Sequence, residues 1–282
     1  MKYFDLHCDT AYECYIKNMP LDDNCLAVSF KNGACFSNWT QTFAVWIRDD
    51  AENPFELYNK IITDCKARLK TKPDNLTPIF AVEGGAVLEK DIDRLYRLKE
   101  DGIKYLTLTW NGGNRIAGGS LSQSGLTRFG KRVIKQMNRL GIACDVSHLN
   151  DRSFYRAIEL SDRPIATHSN CRAVCGVPRN LTDEQIRLIA EKGGIIGLCF
   201  YGKFLGGDVF EKLYENICRL LDMGLEKNIA IGSDFDGADM DRRIDKLSKI
   251  PELYCRLSEK GIKDSTLDKI FYENADKYIR NL

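Results

Sequence analysis

No apolar run in this chain approaches the roughly 18 residues that cross a bilayer, so a membrane-spanning role is not expected. No GxGxxG turn follows an early strand; Gly84-Gly85 and Gly112-Gly113 are turn glycines, which disfavours a dinucleotide fold. Charge of one sign is not in excess: 41 Lys and Arg face 40 Asp and Glu, giving +1, without the basic field that nucleic acid requires. The N-terminal MKYFDLHCDT has no apolar signal core, and a cytoplasmic location is expected. Cysteine is plentiful, at 11, but no paired CxxC occurs. Cys171 and Cys175 have no partner cluster, so a thiolate zinc site is not expected, and most thiols read as small buried hydrophobes. No Pro-, Gly- or Ser-rich linker divides residues 1–282, which predicts one domain.

The chain has 282 residues, 44% of them hydrophobic and 29% charged, enough apolar material for a sizeable core. Apolar runs of strand length alternate with amphipathic stretches. The strand candidates are Lys2–Asp9, Thr42–Ile47, Thr77–Glu83, Tyr105–Trp110, Gly141–His148, Pro164–His168, Gly194–Phe200 and Asn228–Asp234. Helical patterns cover Pro54–Leu69, Lys90–Lys99, Thr127–Leu140, Asp151–Leu160, Thr182–Glu191, Asp208–Met223, Lys246–Glu259 and Ser265–Ile279. Thr182 with Gln185 fits a capping box, and Ser265 with Asp268 fits one less well. Eight strand–helix units in about 250 residues predict a (β/α)8 TIM barrel, with an active site at the C-terminal ends of the strands. Residues 10–41 read as a long connection over that face.

Histidine is scarce, and its three positions, His7, His148 and His168, each close a predicted strand. A lone histidine is commonly a satisfied core or surface residue, but three of three at strand ends point to one site. His7 and Asp9 are two apart and so share a face. Glu83 ends the third strand, and Asp234 and Asp236 end the eighth. Buried acids need cationic partners or metal, and too few strand-end Lys or Arg residues are present to supply them. The set His7, Asp9, Glu83, His148 and His168 offers nitrogen and oxygen donors, suited to zinc but also to manganese, iron or cobalt. Five donors exceed what one tetrahedral zinc with an open position uses. Two divalent ions bridged by Glu83 use them all, and such a site generates hydroxide for hydrolysis.

These motifs, in order, are Asp5-Leu-His-Cys-Asp-Thr10, Glu83-Gly-Gly, Lys104-Tyr-Leu-Thr-Leu-Thr109, Gly125 through Asp145-Val-Ser-His148, His168-Ser169, Arg179-Asn180 and Asp234-Phe-Asp-Gly237. Together they resemble the membrane (renal-type) dipeptidase family, zinc peptidases of the amidohydrolase superfamily. The resemblance implies a barrel with two zinc ions, His7 and Asp9 on one and His148 and His168 on the other, with Glu83 between. It implies cleavage of dipeptides by a metal-bridging hydroxide. Asp234 then acts as general base and acid, and Asp236 is structural. Arg179 becomes the clamp for the free substrate carboxylate, a role suited to the guanidinium fork.

The chain departs from the family at Trp110, where mammalian members carry a histidine that polarises the scissile carbonyl. Trp110 and Asn111 are therefore expected to contact substrate, with only the indole N–H and the amide as donors. The family's membrane attachment is not carried over, and a homodimer remains open. Two other readings stand beside the dipeptidase. One is a deacylase for N-acyl amino acids or a related small amide, since barrels change substrate through their loops. The other is a non-catalytic barrel that binds metal or peptide.

Overall fold

Alternating apolar and amphipathic segments resolve, in a computed structural model describing residues 1–282, into eight parallel strands closed as a barrel in sequence order. The strands are β1 (Lys2–Cys8), β2 (Asn38–Trp46), β3 (Leu76–Glu83), β4 (Ile103–Thr107), β5 (Ala143–Asp145), β6 (Pro164–Ala166), β7 (Ile195–Leu198) and β8 (Ile229–Ile231). The barrel closes where Asp5 of β1 pairs with Ile231 of β8. The later strands are shorter than their apolar runs: the chain stays buried to His148 and His168, but the ladder ends at Asp145 and Ala166. The functional residues there sit on loops just beyond the strands.

Ten helices come before the C-terminal segment. They are α1 (Thr10–Lys17), α2 (Phe30–Gly33), α3 (Pro54–Arg68), α4 (Arg94–Glu100), α5 (Arg128–Leu140), α6 (Asp151–Leu160), α7 (Asp183–Glu191), α8 (Gly202–Leu205), α9 (Val209–Asp222) and α10 (Ile250–Glu259). Their ends follow local chemistry. The Thr127 hydroxyl accepts from Gly130 N–H at 2.9 Å to start α5, and Gly141 at φ 65° ends it. The expected capping box at Thr182 and Gln185 is present at α7. Ser265 does not cap: the last helical segment starts at Asp264 without a side-chain cap. None of the helices is long and apolar enough to cross a membrane.

Residues 10–41 are more ordered than a plain connection. They contain α1, α2 and the first four residues of β2, where Trp39, Thr40 and Gln41 are buried. The polar Thr40-Gln41-Thr42 disguises this strand. Asp236 ties the segment down: its carboxylate accepts from Thr10 Oγ1 at 2.6 Å, Ala27 N–H at 2.8 Å and Val28 N–H at 3.4 Å. Asp236, expected to be structural, makes these bonds from beyond β8 rather than on it, and it also lines the cleft at the barrel mouth.

Two cores hold the barrel. The larger lies between strands and helices. The smaller fills the interior with Phe4, Leu6, Ala81, Tyr105, Ala143, Ile165, Ile195 and Ala230, closed below by Ala275 and Ile279 of the C-terminal segment Asp264–Arg280. All eleven cysteines are free, and six are buried, so packing is the main use of these thiols.

Close approach sets the glycines of β7 and its neighbour. A Cβ on Gly232 would stand 1.6 Å from the Thr167 carbonyl oxygen, and one on Gly197 would stand 2.0 Å from it. The neighbour is backbone and cannot swing away. Replacing Gly232 by Ala is expected to lower stability by about 1–3 kcal/mol, the usual cost of overpacking, read as a lower urea midpoint with an unchanged slope.

Candidate metal centre and active site

The mouth of the barrel gathers every ligand candidate named from sequence. β1 delivers His7, and the ladder with β2 shifts register between Asp5 and Cys8, where the usual alternation of faces breaks. Asp9 follows immediately, its N–H bonded to the Phe235 carbonyl at 2.9 Å. Glu83 is the last residue of β3. His148 and Asp234 both take left-handed backbone, with φ of 70° and 67°. Such a conformation costs a side-chain-bearing residue about 1–3 kcal/mol and is held only where its surroundings demand it.

Glu83 divides its oxygens between two halves of the cluster. Oε2 lies 3.5 Å from His7 Nε2, while Oε1 lies 2.7 Å from His148 Nε2 and 3.5 Å from His168 Nε2. Asp9 Oδ2 lies 3.5 Å from His7 Nε2, and Asp234 Oδ1 lies 3.9 Å from the same nitrogen. The Nε2 atoms of His148 and His168 are only 2.8 Å apart. Three overlapping groups of ligand atoms result: His7, Asp9 and Glu83; Glu83, His148 and His168; and His7, His168 and Asp234. All six residues are buried.

Charge in this cluster is poorly balanced by protein alone. Burial raises the Asp9 carboxyl to about 8, with Glu83 adding to it. Burial likewise raises Asp234 to about 6. Burial works against the charge of Glu83 too, but His7 and His148 outweigh it and hold Glu83 well below the usual range. Burial and Arg179 push His148 down to about 4, and burial with His7 pushes His168 well down. His7 goes the other way, because Glu83 and Asp9 outweigh its burial. Both ring nitrogens of His7 and Oδ1 of Asp9 are buried without a hydrogen-bond partner. Buried orphans of this kind are rare and ask for a missing partner. A Cβ on Gly237 would stand 2.0 Å from Asp9 Oδ2, so glycine is needed beside this ligand. The donor set, its convergence and its orphaned atoms fit divalent cations of the zinc type.

A cleft of about 580 Å³ opens onto the cluster. Trp110, Asn111, Arg179 and Asp234, all singled out from sequence, line it. Arg179 is its only Lys or Arg, and its Nε and Nη2 are buried without partners, while its guanidinium packs over Phe204 at 4.9 Å. The Asn111 oxygen accepts from His148 Nδ1–H at 2.9 Å and from Ser120 Oγ at 3.2 Å, which leaves the amide nitrogen for any ligand. Asp234 Oδ2 accepts a long contact from the Cys199 thiol at 3.6 Å. Sequence reading passed over Tyr12, Trp46, Tyr201 and Phe204, which also line the cleft. Trp46 stacks edge-on to Tyr12 and Trp110, at 4.9 and 5.3 Å between ring centroids. Its place at the end of β2 was the available signal.

The profile of the membrane dipeptidases, peptidase family M19, matches residues 51–282. An uncharacterized protein from the pqqA 5′ region of Klebsiella pneumoniae is 31% identical over 223 residues, 73% of this chain and 82% of that one. The dipeptidase verJ of Clonostachys rogersoniana is 31% identical over 189 residues. The chain spans 48% of verJ and 52% of an uncharacterized dipeptidase from Schizosaccharomyces pombe, about half the length of these fungal relatives. Among solved structures, the M19 metallopeptidase named dipeptidase AC superposes with a TM-score of 0.91 at 24% identity, covering 99% of this chain and 98% of the other. A Rhodobacter sphaeroides metallopeptidase, bound to a phosphinate mimic of L-Ala-D-Ala, gives 0.86 at 23% identity, covering 99% of each. The barrel is thus the fold of those dipeptidases, and on the profile and the Klebsiella relative this chain belongs to the membrane dipeptidase family.

Proposed function

We propose that this protein is a binuclear metal-dependent dipeptidase. The observation that carries the reading is an unpartnered guanidinium in the cleft that opens onto a cluster of six convergent ligand residues. His7 and Asp9 would hold one ion and His148 and His168 the other, with one Glu83 oxygen toward each. Two divalent ions so placed supply an ionised water at neutral pH and polarise a carbonyl.

The chain's own residues complete the reaction. Arg179 offers two free donors to the α-carboxylate of a dipeptide and sets how far the scissile bond lies from the cluster. A longer peptide has no carboxylate at that distance, which favours dipeptides. Asp234 stands beside His7, its Oδ1 3.9 Å from Nε2, and its carboxylate lines the cleft where it can take and return a proton. It takes a proton from the attacking water and passes it to the leaving amine. Trp110 and the amide nitrogen of Asn111 are the remaining donors for the developing oxyanion. With a single cation and the carboxylates of Glu13 and Asp239 also on its walls, the cleft suits a zwitterion with a free amine better than an N-acylated substrate.

Zinc, manganese or cobalt added to metal-free protein should add about 2.7 kcal/mol of stability per bound ion at a hundredfold excess over Kd, read as a higher unfolding midpoint, with two ions bound per chain by elemental measurement. Zinc-loaded enzyme should release amine from a panel of L–L and L–D dipeptides, and Asp234→Asn should abolish release while keeping the metal. Cleavage of N-acyl amino acids alone would favour the deacylase, and bound metal without turnover of either class would favour a binding barrel. Arg179→Lys should raise KM about tenfold or more and act less on dipeptide amides, which lack the carboxylate, because lysine cannot make the two-pronged contact.

A further inference from the structure

Two of the three cluster histidines are held from behind, and they are held differently. His148 donates Nδ1–H directly to Asn111. His168 Nδ1 lies 2.8 Å from Thr167 Oγ1, and behind that hydroxyl stands Asp145, a fully buried carboxylate in none of the three ligand groups. Asp145 Oδ1 accepts from Ser147 N–H at 3.0 Å and Thr167 N–H at 3.1 Å. Its Oδ2 accepts from Thr107 Oγ1 at 2.6 Å and Thr167 Oγ1 at 2.7 Å. Four donors fill the four lone-pair positions of a carboxylate.

The count has a consequence for the imidazole. Thr167 has one hydroxyl proton, and it is used on Asp145. What Thr167 presents to His168 is therefore a lone pair, so His168 must carry its own proton on Nδ1. Its Nε2 is then bare and aimed at Glu83 and His148, at 3.5 and 2.8 Å. Were the proton on Nε2 instead, Thr167 would have to give its hydroxyl proton to His168 and face Asp145 lone pair to lone pair.

We propose that Asp145, acting through Thr167, is a positioning residue that fixes the tautomer and ring orientation of His168. The inference rests on the metal-site reading for its purpose, though not for its geometry. Groups behind a ligating histidine typically tune metal affinity by about 10–100-fold. Asp145 is placed to do this because β4, β5 and β6 all end on its carboxylate, through Thr107, Ser147 and Thr167. The same residue thus ties three strand ends together and orients one ring.

The scarcity of histidine makes the test clean. In metal-free protein labelled with 15N-histidine, only three imidazoles contribute to a long-range proton–nitrogen correlation spectrum. The His168 ring is expected as the Nδ1–H tautomer in the unaltered protein. Thr167→Val, which keeps shape and removes the hydroxyl, should lose that single tautomer and weaken Zn2+ binding about 10–100-fold in competition with a fluorescent chelator. Thr167→Ser should restore both. A His168 ring protonated on Nε2 in the unaltered protein overturns the proposal, whether or not Thr167→Val folds. So does a folded Thr167→Val that binds Zn2+ as tightly as the parent. Failure of the unaltered protein to bind Zn2+ would instead sink the proposed function, with the tautomer still decided by the spectrum.

Discussion

A carboxylate that has lost its water must find positive charge or hydrogen-bond donors, and at the mouth of this barrel that carboxylate is Glu83. It is buried at the end of β3, with no Lys or Arg in contact, and three imidazoles close around it. Desolvating an unpaired anion costs several kcal/mol, far more than one strand end can absorb. The other features of the mouth follow from this: the register shift in β1 that accompanies His7, the left-handed turns that present His148 and Asp234, and the glycine that makes room for Asp9. Around that centre lie two further buried acids, Asp5 and Asp145, which take only hydrogen-bond donors from the chain and hold neighbouring strand ends in place. The site is a charged centre supported by a neutralised rim.

Much of this was legible in the sequence because the barrel announces itself twice, in period and in position. Eight apolar runs gave the strand order, and the helix boundaries fell within a few residues where Thr182, Thr127 and Pro54 mark them. The three histidines and the acids Asp9, Glu83 and Asp234 were visible because strand ends are where barrels do chemistry, and the structure brings all six together. Less legible was anything set by the third dimension. The start of β2 was hidden by Thr40-Gln41-Thr42, polar residues buried by neighbours far away in sequence. Asp145 sits inside an apolar run and looks like any strand residue until Thr107 and Thr167 arrive from the strands on either side. Tyr201 and Phe204 reach the cleft from the start of α8 and from α8 itself, and no spacing rule picks them out.

Strain and support are balanced locally. His148 and Asp234 hold a backbone conformation that glycine, asparagine and aspartate enter with least difficulty. For Asp234 the requirement and the chemistry coincide, since a short acid is among the few side chains tolerated there. For His148 they conflict, and the imidazole is kept in place by its bond to Asn111 and its neighbours in the cluster. The loop that carries Trp110 and Asn111 is in turn gripped by Asp49, which accepts from Trp110 N–H at 3.2 Å, Gly112 N–H at 2.9 Å and the Asn114 amide at 3.0 Å. Orientation at the centre is thus inherited from carboxylates one layer out.

The floor of the barrel carries a different consequence. Its interior is sealed by Ala275 and Ile279, which pack beneath Phe4 and Leu6. During synthesis that stretch leaves the ribosome after every strand has already emerged. Without it, the apolar interior formed by Phe4, Leu6 and their neighbours would be open to water at one end. The floor thus depends on contacts between residues about 270 positions apart, the kind of long-range closure whose entropy cost the rest of the barrel must offset.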